Sequence, residues 1–125
     1  MSFEVPEPRD VFDVAMDDGA VSQMRRYGDA DSDIRMFISH GNGFAVDGYV
    51  PFWQPLADGY ELIVFDFRNH GRNARSDPAN HHYGQMARDV ETVYRDVTAK
   101  LGRKTSVGVF HSMSARAAMK HAVEI

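Results

Sequence analysis

Three short apolar runs limit what this chain can fold into. Ile34 to Ser39 (IRMFIS), Glu61 to Phe67 (ELIVFDF) and Thr105 to Phe110 (TSVGVF) are β-prone, and each breaks off abruptly. The first ends in His40-Gly41-Asn42-Gly43, the second in the polar stretch RNHGRNARSDPANHH, and the third in His111-Ser112-Met113. Runs this short, bounded by turn residues, read as strands buried on both faces. Helical patterns separate them. Phe52, Trp53 and Leu56 form an apolar stripe over about 49–58, with Pro51 in the first turn and Gly59 at the C-terminal cap. Met86, Val90, Val93, Tyr94, Val97 and Leu101 recur at helical spacing from Tyr83 to Leu101, ahead of Gly102. Ala115, Ala118, Met119 and Ala122 mark a last helix with small residues suited to a sheet surface.

Upstream, residues 1–10 read as an irregular leader. Val11 to Met16 and Ala20 to Tyr27 then flank Asp17-Asp18-Gly19, a tight-turn signal between two strand patterns. The expected fold is α/β: a β-hairpin, then alternating strands and helices in a mostly parallel sheet covered on both faces. At 125 residues, 43% hydrophobic and 26% charged, one domain over residues 11–125 is expected. In such sheets the working loops gather at the carboxyl ends of the strands, so the three loops converge on one edge.

Composition narrows the partners. A net charge of −4 gives no broad attraction to nucleic acid or an anionic membrane. Zero cysteines exclude disulfides and thiolate metal sites. The first ten residues show no basic and apolar leader pattern, and no apolar run approaches the roughly 20 residues of a spanning helix. The expected setting is the cytoplasm and the expected partner a small molecule.

Ser112 is the candidate nucleophile. A serine hydroxyl needs a base to take its proton and dipoles to hold the resulting oxyanion. A sharp strand-to-helix turn lifts the hydroxyl clear and aims helix N-terminal amides at the reacting oxygen. Ser112 is either such a nucleophile or simply the cap of the last helix. Small residues two before and two after would let the turn close; Phe110 does not fit that requirement and Ser114 does. The Gly41–Gly43 loop offers the N–H of Asn42 as a partner to that of Met113. It is otherwise a plain turn, or a phosphate-binding loop. The dinucleotide fingerprint wants a small residue where Val46 stands, although Asp66 lies at about the right distance for its acid.

From about Asp13 to Ala122 the sequence resembles the N-terminal half of an α/β-hydrolase of the lipase, esterase or peptidase type. The resemblance rests on His40-Gly41-Asn42-Gly43, on Trp53 and LADGYELIVFDFRNHG (residues 56–71), and on His111-Ser112-Met113-Ser114-Ala115. The middle stretch is similar to the family's Asp-x-Arg-x-His-Gly, and the last to its Gly-His-Ser-Met-Gly-Gly elbow. It implies that Ser112 is the nucleophile and that the N–H groups of Asn42 and Met113 bind the oxyanion. His40, Gly41, Gly43 and His111 would shape the site, with the Asp66, Arg68 and His70 group holding the loops and 72–82 bordering the cleft. His111 is expected to pack under the elbow. Phe110, in place of a small residue, is expected to reshape the turn or open it.

In this fold the triad runs serine, acid, histidine along the chain. After Ser112 only His121 and Glu124 qualify by type, and His121 lies nine residues up the same helix, roughly 13 Å away. A general base must stand at about 3 Å. The sequence is therefore expected to be the N-terminal portion of a longer hydrolase, inactive alone, with the Thr105–Phe110 strand as a bare edge open to self-association. No cofactor or metal is expected; His81-His82, lacking a carboxylate pattern, read as solvated residues. The expected activity is hydrolysis of an ester, amide or similar acyl substrate through an acyl-enzyme at Ser112. The alternatives are a non-catalytic small-molecule-binding domain and a nucleotide-binding domain.

Overall fold

A computed structural model describes residues 4–124. Of the expected leader, 1–3 lie outside the described residues and 4–9 form neither helix nor strand. Strands β1 (Asp10–Ala15) and β2 (Val21–Gly28) form the hairpin, Ala15 facing Val21 across a turn in which Gly19 takes φ +90°. Strands β3 (Ile34–Ile38), β4 (Glu61–Phe65) and β5 (Thr105–Val109) follow, and the sheet order is β1-β2-β4-β3-β5. β3 pairs parallel with both β4 and β5, whereas β2 meets β4 antiparallel. The sheet is thus mixed, with its parallel part where the three motif loops emerge.

Helices cover both faces. Helix α2 (Tyr83–Leu101) and helix α3 (Met113–Glu124) enclose a core of Met24, Phe37, Ile63, Phe65, Val93 and Val97. The opposite core holds Tyr27, Ile38, Trp53, Leu62 and Val64. The segment over that face departs from the single helix expected at 49–58. It starts earlier and breaks into a 3₁₀ turn (Val46–Tyr49), a short helix α1 (Val50–Trp53) and a second 3₁₀ stretch (Gln54–Asp58). Pro51 and Pro55, four apart, cannot continue an i→i−4 ladder because Pro55 has no N–H to give the Pro51 carbonyl. The expected stripe splits too: Trp53 is buried and donates its indole N–H to the Val46 carbonyl at 2.9 Å, while Phe52 is 57% exposed.

β5 is the bare edge expected of the Thr105–Phe110 strand: only β3 pairs with it, and Val107 is 38% exposed. No helix of the described residues is long and apolar enough to cross a membrane.

Ion pairs tie the layers together. Arg68, 2% exposed, grips two carboxylates at once: Asp18 of the hairpin turn at 2.7 and 3.0 Å, and Asp89 of α2 at 2.7 and 2.9 Å. Buried Glu61 collects Arg26, Arg35 and Lys104.

Candidate active site

The turn from β5 into α3 is sharp because Ser112 adopts φ +52°, a left-handed conformation that disfavours most side chains by about 1–2 kcal/mol. Ser112 is exposed, and among the described residues no hydrogen bond engages its hydroxyl. The serine that caps this turn is Ser114. Its buried hydroxyl accepts the His111 N–H at 2.9 Å and donates to the His111 carbonyl at 3.1 Å. The cap and the exposed serine are therefore separate residues. Phe110 does not open the turn. Its ring lies over Gly108, where an added Cβ would stand 2.6 Å from the ring, and meets Phe65 edge-on at 6.4 Å. The small residue that the corner needs has moved two positions back, into the strand.

The glycine loop lies against this elbow. A Cβ built on Gly41 would stand 3.1 Å from His111 Nδ1 and 3.5 Å from Ser112 Cβ. The loop's amides are largely committed. The Gly41 N–H goes to the Tyr49 hydroxyl (3.1 Å), that of Gly43 to His70 Nε2 (3.2 Å) and that of Phe44 to the Gly41 carbonyl (3.2 Å). Among the described residues the Asn42 N–H has no acceptor, and neither does the Met113 N–H that opens α3. Asn42 and Met113 line one cleft of about 400 Å³ with His81, His82, Tyr83 and Met86. A larger cleft of about 720 Å³ shares Asn42 and His81 and extends past Phe44, His70 and Arg75. Ser112 lines neither cleft and stands beside Gly41.

The histidines hold structure. His40 is fully buried; its Nε2 accepts the Phe67 N–H at 2.9 Å, which leaves the proton on Nδ1 to bond the Gly41 carbonyl at 2.8 Å. Its ring lies tilted at 4.8 Å from that of His70, whose Nδ1 donates to the Arg68 carbonyl. His81 lies 5.8 Å beyond His70, and His82 caps α2 by accepting the Gln85 N–H. Among the described residues no group of histidines and carboxylates could hold a metal ion. His111 departs from expectation: it is exposed beside the elbow, not packed beneath it, because Tyr49 draws its Nδ1 to 2.7 Å. His121 bonds Glu91 of α2 at 2.7 Å. Asp66 accepts the N–H groups of Val46 and Arg72, so both its oxygens serve loop backbone and neither faces a ribose.

Sequence reasoning missed Tyr49, which joins the two loops, and the Arg68 clamp behind them. A tyrosine inside a turn carries no motif, and the Arg68 partners are through-space neighbours.

The matching family model is the alpha/beta hydrolase family, aligned over residues 36–125. The chain belongs to the alpha/beta hydrolase family. Solved structures agree on the fold. A hydrolase from Pseudomonas aeruginosa PA01 superposes with a TM-score of 0.74 at 18% identity, over 93% of this chain and 42% of its own. An esterase from Exiguobacterium antarcticum gives 0.74 at 20% identity, over 90% and 39% respectively. An epoxide hydrolase from Vigna radiata gives 0.73 at 15%, over 92% and 35%. A search among curated proteins finds no match. The chain spans about two-fifths of the length of the solved structures it resembles.

Burial pushes the His40 imidazole below its ordinary value, and burial followed by the neighbouring His70 and Arg68 side chains does the same for His81. The unfolded chain therefore takes up protons below about pH 6.5 that the folded one refuses, so stability falls as pH drops from there. The carboxylates of Asp18, held low by Arg68, and of Glu91, held low by His121, add their own loss only below about pH 4.5. Urea unfolding at pH 7.5 and 5.5 should give the lower midpoint at 5.5; an equal or higher one contradicts this account of the histidines.

Proposed function

We propose that the chain carries the nucleophile half of a serine hydrolase, with Ser112 attacking the carbonyl of an ester, amide or similar acyl substrate. The observation that carries this reading is the pairing of a strained, exposed Ser112 with a separate cap at Ser114. A serine needed only to start α3 would use its own hydroxyl for the cap and would not hold a left-handed backbone. Uncommitted amides at Asn42 and Met113 support an oxyanion site opening on the smaller cleft.

In the proposed reaction the serine Oγ bonds to the acyl carbon and its proton passes to a base. The carbonyl oxygen gathers negative charge opposite the two amides, and the leaving group departs with a proton. Water then releases the acid. Among the described residues no histidine is bonded to Ser112: His40, His70 and His111 have their basic nitrogens taken by other donors, and His121 is held by Glu91 of α2. Among the described residues none stands as that base or its acid beside Ser112, and without them turnover is expected to be lost. A cysteine-free composition suits the cytoplasm as its setting.

Protein expressed from its own gene should hydrolyse simple aryl esters, and Ser112→Ala should lower that rate by several powers of ten. Undiminished turnover in the variant would sink the assignment. Retention on immobilised nucleotide, with no esterase activity, would favour the nucleotide-binding alternative instead.

A further inference from the structure

We infer that Tyr49 is a positioning residue: its hydroxyl orients the Gly41–Asn42 peptide and the elbow relative to each other. The inference rests on the reading of Ser112, Asn42 and Met113 given above. Tyr49 closes the 3₁₀ turn Val46–Tyr49, outside all three motifs, and its oxygen reaches both loops. It accepts the Gly41 N–H at 3.1 Å. That leaves its own proton free to go to His111 Nδ1 at 2.7 Å, across 62 residues of sequence.

Two consequences follow for the site. First, the Gly41 amide is turned away from any ligand. With Gly43 and Phe44 committed as well, residues 41–44 present a single free backbone donor, the N–H of Asn42. A loop freed from Tyr49 could rotate the Gly41–Asn42 peptide and misdirect that donor. Second, His111 immediately precedes Ser112, so anchoring its ring fixes the chain where it enters the left-handed turn. The bond also places the His111 proton on Nε2. Tyr49 itself touches no reacting atom. It acts through the backbone at both ends.

Tyr49→Phe isolates the hydroxyl, because the ring's edge contact with Phe44 and its packing beside His111 survive. In ¹⁵N NMR of this chain, the Gly41 and Asn42 amide signals should move and His111 should lose its single Nε2–H tautomer. In protein expressed from its own gene, the rate at which a fluorophosphonate modifies Ser112 should fall roughly five- to tenfold, the scale of one net hydrogen bond. His111→Ala should slow it similarly, and the double variant should be no slower than either single one. A loss of ring packing alone would not give that non-additivity.

Unmoved Gly41 and His111 signals in Tyr49→Phe would overturn the inference. So would signals that move while the modification rate stays at the parent value. If the parent expressed from its own gene takes no probe, the nucleophile reading fails, and the amide and tautomer signals alone decide whether Tyr49 sets the loop.

Discussion

Arg68→Met is expected to remove about 3 kcal/mol of folding stability, the largest loss of any single change considered for this chain. The guanidinium is buried and makes four hydrogen bonds to two carboxylates, each bidentate. Methionine fills much of the same volume but leaves Asp89 buried without its cation and frees the hairpin turn at Asp18. Breaking a buried ion pair from one side typically costs 3–5 kcal/mol; the lower end applies because Asp18 remains partly open to water. For a domain of this size the melting temperature should drop by roughly 10 °C. Asp18→Asn keeps a neutral acceptor beside the arginine and should cost clearly less. If Arg68→Met melts within a degree or two of the parent, the clamp contributes nothing and the hairpin is held by its strand pairing alone.

Gly41→Val is the second large effect, and it reaches the chemistry. Nothing in the backbone of Gly41 demands glycine, since its φ is not positive; the demand comes from close approach. A Cβ alone would crowd His111 Nδ1 at 3.1 Å, and the two methyls of valine extend further toward the elbow. Overpacking of this kind costs about 1–3 kcal/mol. The displacement should break the Tyr49–His111 bond and carry the Asn42 amide away from Ser112. Loss of one oxyanion donor lowers reactivity by about 10²–10³-fold, so modification of Ser112 should slow on that scale. Circular dichroism and urea unfolding show how much of the loss is misfolding; Gly41→Ala, with one smaller contact, should keep the fold and still react more slowly. A valine variant that folds and reacts like the parent would show that the loop and the elbow are independent.

What could be read from the sequence followed the strength of local periodicity. α2 spans the residues that its apolar spacing marks, from Tyr83 to Leu101, and Gly102 ends it at φ +93°. The hairpin at Asp18-Gly19 and the runs that became β3 and β4 were equally legible. The segment from 46 to 58 was not, because its apolar residues suit a helix while Pro51 and Pro55 deny it the hydrogen bonds. β5 reads as buried from its composition, and the bare edge expected of it follows from strand order, which gives it β3 as its one neighbour. At the site, the positions of Asn42, Ser112 and Met113 were visible in the motifs. Their support was not: Tyr49 meets His111 across 62 residues, and Arg68 meets Asp18 across 50. Ser114 was read as merely small, whereas its hydroxyl closes the turn.

The most direct test of the central claim is intact-protein mass before and after a fluorophosphonate, followed by peptide mapping, on protein from its own gene. The account predicts one adduct per chain, located on Ser112 and absent from Ser112→Ala. Adduct on another residue, or undiminished labelling of the alanine variant, would contradict it.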